Sequence, residues 1–518
     1  QRRGVLGDHQ VGEVVDVGQP LAGEPLDLRL ALHAPGPHGR SRPGPGGVVQ
    51  RQAVDQQPAA GGKVGRQPFV ARLAAAFVAR GGEVFSECDR LYVKNADEAL
   101  ILVAAATSLS GFPGGRAAED PVSLALDEAR AAAAKGWERL YDAHVADYQS
   151  YAGRMELSFE KPEDRSGLDL AQRVRSAEAR LDDPGLIELY FHYARYLLIS
   201  CSRPGGMPAN LQGLWAEEIQ TPWNGDWHLN AQQMIYWAAE RANLSECHTP
   251  YLELTRALVE PGERTARAYY DSDGWVVHTC TNPWGFTSPC EEALWGSTLG
   301  SGAWQCHHLW EHYLFTKDLD YLRSVYPVLC GAARFYRDIL VEDPNTGYLV
   351  SSPSSSPENA FYTEKGEVCA LCMGPSYDTQ LIRSLFAYCI KAQALLGEDP
   401  VFARELGALM RNMAPVEIGG DGRIKEWLVE YPEPYPFHRH VSHLWGVYPG
   451  MLISRERTPE LAEAAERSLI ARGKTTAGWA IAFRMCLWAR LRCGEKAWES
   501  LENALRYATS YNLFNLAY

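Results

Sequence analysis

Apolar positions divide the chain into stretches with different periods. Beyond about residue 168 they recur at three- and four-residue steps; in 184–200, Leu186, Leu189, Tyr190, Tyr193, Tyr196 and Leu197 share one broad face. The same spacing returns around 230–243, 250–270, 296–315, 319–339, 376–396, 399–413, 459–472, 477–492 and 495–508. This part predicts roughly ten or more helices joined alternately by short and long loops. Residues 69–77, 83–87, 90–94 and 99–106 instead alternate or run apolar between Gly-Gly, Cys-Asp and Asn-Ala-Asp breaks, as the last strands of an antiparallel β domain would. Between these regions, residues 121–148 return to helical spacing through Leu124, Leu126, Ala129, Ala132, Trp137, Leu140 and His144, predicting a helical bridge.

Residues 1–67 carry neither period. They contain no Phe, Trp, Tyr, Ile, Met, Asn, Thr or Cys, and Pro-Gly pairs interrupt them repeatedly. The residue types that fill cores are missing, so this head is expected to be a low-order or artefactual segment. The expected organisation is therefore the head at 1–67, a β-domain remnant at 68–115, a helical linker at 116–165 and a helical domain at 166–518.

Composition narrows the function classes. Hydrophobic residues make up 46% and charged residues 22%, so most of the chain can bury a core. Lys and Arg number 50 against 64 Asp and Glu, a formal charge of −14, and no long stretch is basic enough to follow a phosphate backbone; nucleic acid is not an expected partner. The most apolar run, 99–106, is too short to span a bilayer, so no membrane partner is expected either. The start at Gln1 lacks the apolar segment of a signal peptide and reads as a chain whose true beginning is missing, which leaves secretion or a cytoplasmic location open. The 12 cysteines are scattered apart from Cys369-Ala-Leu-Cys372, and without a second such pair they read as buried free thiols rather than zinc ligands.

Four segments carry candidate chemistry. The first is Gly205-Gly-Met-Pro-Ala-Asn-Leu-Gln-Gly-Leu-Trp215 and its continuation through Trp223, Asn224, Asp226, Trp227, His228 and Asn230 to Trp237. It sets flat aromatic faces beside amide and imidazole groups, the mixture that sugars need for their C–H faces and hydroxyl edges; core filling and helix capping is the plainer alternative. The second, Ser351-Ser-Pro-Ser-Ser-Ser-Pro-Glu-Asn359, holds one carboxyl in a proline-framed loop. A general acid must be held partly desolvated, and such a loop can fix one at a cavity rim, although an exposed Glu in a Ser/Pro turn is the commoner case.

In the third, His438-Arg-His-Val-Ser-His443, alternate spacing points His438 and His440 one way and His443 another, which suits polar recognition better than a metal. The fourth, His308-Leu-Trp-Glu-His312, matches the H-x-x-E-H pattern of some zinc proteases, but Trp304, Leu309, Trp310 and Tyr313 mark a crowded core helix. No metal and no cofactor are expected.

Together with Asn243-Leu-Ser-Glu-Cys247, Gly302-Ala-Trp-Gln-Cys-His-His-Leu-Trp-Glu-His-Tyr-Leu314 and residues 351–361 and 438–450, the first segment resembles glycoside hydrolase family 95 over about residues 69–515. That family comprises inverting α-L-fucosidases acting on Fucα1-2Gal ends, with some α-L-galactosidases. The resemblance implies a mainly α fold: an (α/α)6 toroid, incomplete at its C-terminal end, preceded by remnant strands of a β-sandwich and a helical linker. It implies Glu358 as the general acid, Asn230 as one of two Asn residues holding the attacking water, and His228, Trp284, Arg439 and His440 around the sugar. His228 would pack near the C6 methyl of fucose.

This chain also departs from the family pattern. The second water-holding Asn is replaced in Asn230-Ala-Gln232, and the Asp that polarises the two amides lies in a motif beyond the point where this chain stops, shortly after Asn512-Leu-Phe514. The expectation is a glycosidase for fucosylated oligosaccharides whose turnover is low in the chain as given. The alternatives are a non-catalytic carbohydrate-binding protein that has lost its base and an α-L-galactosidase.

Overall fold

A computed structural model describes residues 9–12, 49–51 and 71–517, apart from 88–89, 110, 116–119, 161–164, 166, 217, 219 and 475–476. The chain divides into two compact units, Gln1–Ser150 and Tyr151–Tyr518. Most of the expected low-order head lies outside the described residues. Its two described pieces, β1 (His9–Gly12) and β2 (Val49–Arg51), are strands, although the sequence of the head shows no strand period.

In the first unit β3 (Ala71–Arg80) is followed by the hairpin β4 (Glu83–Glu87) and β5 (Arg90–Lys94) and by β6 (Glu98–Thr107). Strand β3 pairs antiparallel along its whole length with β6, from Ala71 opposite Thr107 to Arg80 opposite Glu98, and on its other edge with β1 and β2. The alternation expected for 99–106 is present: Leu102, Ala104 and Ala106 turn inward and pack with Ala74, Ala76, Ala125, Leu126 and Ala129, while Ile101 and Val103 are exposed. Helix α1 (Pro121–Lys135) supplies that cover. Gly136, at φ 76°, separates it from α2 (Trp137–Ala152), so the predicted bridge is two helices.

The second unit is helical. Its elements are α3 (Leu170–Ala179), α4 (Pro184–Cys201), α5 (Gln232–Ile235), α6 (Ser245–Ala257), α7 (Val259–Tyr270), α8 (Ala293–Gly296), α9 (Ser301–Thr316), α10 (Leu319–Ile339), α11 (Ser376–Leu396), α12 (Pro400–Asn412), α13 (Pro459–Arg472), α14 (Gly478–Arg490) and α15 (Gly494–Tyr507). Several starts are dictated locally. Asp183 and Asp399 accept from backbone N–H groups of the first turn just ahead of Pro184 and Pro400, whose missing N–H costs nothing there.

The segment 250–270 divides at Leu258 because Pro261 cannot donate to the carbonyl of Ala257. Residues 230–243 form only the short α5 and then tight turns closed by three-residue bonds such as Trp237 N to Met234 O, so the longer helix expected there is absent. Consecutive helices pair as α6 with α7, α9 with α10, α11 with α12, and α14 with α15. The pairs are linked sideways from α6 through α9 and α11 to the turn Ser442–Leu444. The unit also closes on itself: α3 packs on α15, through Val174, Ala177, Leu186, Leu505 and Leu513, and Arg506 reaches the carbonyl of Ala179.

Candidate active site

The loop that carries Glu358 is built from buried hydroxyls. Ser351, Ser354, Ser355 and Ser356 are all buried, and buried hydroxyls favour sites where hydrogen-bond partners meet them; three of the four find one among the described residues, while Ser355 Oγ does not. Ser351 Oγ donates to Asp378 Oδ2 at 2.8 Å, Ser356 Oγ donates to Glu426 Oε1 at 2.8 Å, and Ser354 Oγ accepts from Leu299 N at 3.2 Å. Ser442 donates to the carbonyl of Pro357 just ahead of Glu358, and on the other side of Glu358 Asn359 Nδ2 donates to Glu433 Oε2 at 3.0 Å and to Glu426 Oε2 at 3.2 Å. The turn is therefore held from both sides rather than exposed, and the Glu358 side chain remains 21% accessible.

Three of the other expected residues meet this carboxylate. Asn230 Nδ2 donates to Oε1 at 2.9 Å, Arg439 Nη2 donates to Oε2 at 2.6 Å, and His440 Nε2 lies 3.4 Å from Oε2. Burial would raise the pKa of Glu358, but His440, Asn230 and Arg439 together outweigh it and hold the carboxyl down at about 2. Asn230 reaches the site because it follows the two-residue ribbon in which Trp227–His228 pairs with Cys280–Thr281. Asn230 and His440 also border a small void of about 10 Å³, close to the least that one water molecule needs. Gln232 turns elsewhere: it is buried, and its amide donates to the carbonyl of Ala209.

Glu358 and His228 open on a cavity of about 750 Å³, which Trp223, Asp226, Glu291 and Trp295 also line. His228 stacks toward Trp295 with ring centroids 6.3 Å apart. Burial lowers its pKa, against the opposing pull of Glu358 and Glu291, so the ring is neutral near pH 7. Asp226 is shifted upward by burial and by the negative charge of Glu291. Trp284, the remaining expected residue, does not line this cavity; it is 56% exposed and borders a neighbouring one.

His438 and His440 do point together, with rings 5.4 Å apart, and His443 turns inward to within 3.2 Å of Glu426 Oε2. The H-x-x-E-H residues are spent inside the core. His312 Nδ1 lies 2.6 Å from Glu240 Oε1, His248 Nδ1 lies 2.8 Å from the same oxygen, and His248 Nε2 is 2.9 Å from His308 Nδ1. Two ligands of a tetrahedral zinc ion, each about 2.0–2.1 Å from it, sit roughly 3.3 Å apart. The observed separations are those of hydrogen bonds, and Glu311 turns away to Arg241 Nη1 at 2.7 Å.

Asp378, Glu426, Glu433 and Arg472 support the site without having stood out in the sequence. Arg472, itself 2% exposed, bridges Glu426 and Glu433. Glu426 is held far below the usual carboxylate range: burial acts against ionisation but His443, Arg472 and Ser356 prevail. Among the described residues no counter-charge meets Asp378, and burial pushes it up to about 7 despite bonds from Ser354 and Ser351. The run of serines was the available signal, since buried hydroxyls mostly find acceptors elsewhere, as Ser351 and Ser356 do here.

A sequence model of the glycosyl hydrolase family 95 catalytic domain matches residues 136–517. Alpha-L-fucosidase 2 of Arabidopsis thaliana is 37% identical over 434 residues, covering 81% of this chain and 51% of that protein. Probable alpha-fucosidase A of Aspergillus niger is 32% identical over 412 residues, covering 77% of this chain and 51% of the relative. The chain thus spans about half the length of the curated relatives it matches. A solved structure titled putative kojibiose phosphorylase from human microbiome shares the fold at TM-score 0.56 and 10% identity, over 86% of this chain and 62% of that one. Because that family match spans well over half of this chain, the chain belongs to glycosyl hydrolase family 95.

Proposed function

We propose that the protein containing this chain removes terminal α-L-fucose, of the Fucα1-2Gal type, from oligosaccharides by an inverting single displacement. Glu358 gives its proton to the departing glycosidic oxygen, and Asn230 orients the water that attacks the anomeric carbon from the opposite face. The observation that carries this reading is one carboxylate at the cavity wall gripped by Asn230, Arg439 and His440. The fucosidase names of the relatives support the sugar, and neutral His228 beside Trp295 suits a deoxysugar with an apolar methyl.

A carboxyl held at about 2 is ionised at neutral pH, so bound substrate must take over some of its donors before it can act as an acid. An inverting reaction also needs a base about 6.5–9.5 Å from the acid. Asp226 is a carboxylate on the wall of the same cavity and the chain's own candidate for that role.

Replacing Glu358 by Gln should abolish release of free L-fucose from 2′-fucosyllactose; retained release would sink its assignment. A second reading, a sugar-binding protein without turnover, is favoured by Gln232, whose amide is bonded to Ala209 and leaves Asn230 without its expected companion. Calorimetric binding of fucose with no hydrolysis would establish that reading, and preference for an α-L-galactoside would move the sugar assignment within the family.

A further inference from the structure

The loop that ends the cavity wall is fastened to α7. His278 Nδ1 donates to the carbonyl of Thr287 at 2.7 Å, which leaves Nε2 to accept from Tyr270 Oη at 2.7 Å. His278 is fully buried and burial lowers it to about 4, so the neutral ring keeps this pattern across the neutral range. Thr265 and Thr287 share a hydroxyl hydrogen bond at 2.6 Å, and Thr287 Oγ1 also donates to Pro261 O at 3.1 Å. Within the loop, Trp284 N donates to Asn282 Oδ1 at 3.1 Å and Gly285 takes φ 76°.

These bonds fix a second cavity of about 450 Å³ that shares Asn282 and Phe286 with the cavity of Glu358. Its walls present three large rings to solvent: Tyr269 at 60% exposure, Trp284 at 56% and Phe286 at 40%. Tyr270, the neighbour of Tyr269, is turned inward against Phe335, which places Tyr269 on the outer side of α7. Asn282, Thr265 and Ser288 add polar edges, and the charge of Arg264 is matched by Glu260. Exposed rings with amide and hydroxyl edges, and no spare cation, are the chemistry that stacks on the C–H face of a neutral sugar.

We infer that this platform of Tyr269, Trp284 and Phe286 binds the neutral glycan chain to which the cleaved residue is attached, so that the preferred substrate is an oligosaccharide longer than a trisaccharide. The inference rests on the glycosidase reading above and extends it from one terminal residue to the chain behind it. Nothing in the family resemblance assigns Tyr269.

The test compares kcat/KM for 2′-fucosyllactose with that for a fucosylated oligosaccharide several sugars longer, and measures binding of the longer one by calorimetry. Tyr269→Ala should lower the long-to-short ratio, and weaken calorimetric binding, by about three- to tenfold. Glu263→Ala, exposed on the same helix and outside the cavity, should leave the ratio as it is. A ratio and a binding constant both unmoved by Tyr269→Ala overturn the platform while leaving fucosidase activity standing. Binding weakened by Tyr269→Ala without release of fucose from either substrate keeps the platform and overturns the activity.

Discussion

Arg439 Nη2 donates to Glu358 Oε2 at 2.6 Å, on the carboxylate whose other oxygen accepts from Asn230 at 2.9 Å. The pair stabilises the ionised form, whereas an acid catalyst must hold a proton. Because kcat/KM reports the free enzyme and kcat the bound complex, the alkaline limb of kcat should lie at higher pH than that of kcat/KM. Arg439→Leu removes a charge that lowers the Glu358 pKa, so the kcat/KM limb should move up by about a unit, with a raised KM. Initial rates across pH measure both; a limb moving toward acid would contradict the arrangement.

Arg472 stands between Glu426 and Glu433 with almost no solvent contact. Arg472→Met leaves two carboxylates buried without their counter-charge and should cost about 3–5 kcal/mol in urea unfolding. Since Glu426 also anchors Ser356 and Asn359 on either side of Glu358, kcat should fall with it. The sign with pH follows from the depressed pKa of Glu426: its contribution is complete above the unfolded value of about 4.3 and is lost as pH falls toward the folded one. Glu426→Gln should be less stable than the parent at neutral pH and show less of this acid loss.

Asp378 carries the opposite sign. Its folded pKa of about 7 lies above the unfolded value of about 3.9, so the folded state binds the extra proton and loses stability as pH rises through that interval. Asp378→Asn removes the ionisation, keeps an oxygen for Ser351, and should flatten this fall. Thermal unfolding below about pH 4 should find the two proteins similar, and at about pH 8 the variant should be the more stable.

The long helices were legible because their period is local: 319–339 and 376–396 coincide with α10 and α11. The split at Leu258 was legible too, in Pro261, but the apolar period masked it. In the site, Glu358 read alone is a turn residue, because its stability as a partly buried charge depends on partners far along the chain. Asn230 lies 128 positions away, Arg439 lies 81 away, and Ser356 meets Glu426 across 70. No window of sequence contains such pairs, and the family motifs supplied what periodicity could not. Trp284 borders the neighbouring cavity, which shares Asn282 and Phe286 with that of Glu358.

In the histidine cluster, local pattern and tertiary partners point to different chemistry. Glu240 accepts from His248, His312 and Ser245, and those bonds outweigh burial and hold its carboxyl at about 2. A zinc ion would have to spread the ligand atoms from 2.6 and 2.8 Å to roughly 3.3 Å inside packed helices. Dialysis against a chelator, or added Zn2+, should therefore leave the thermal midpoint unchanged. Glu240→Ala should instead cost about 3–5 kcal/mol, because His248 and His312 lose their buried acceptor. A zinc-dependent rise in the midpoint of the parent, absent in Glu240→Ala, would show that the cluster binds metal after all.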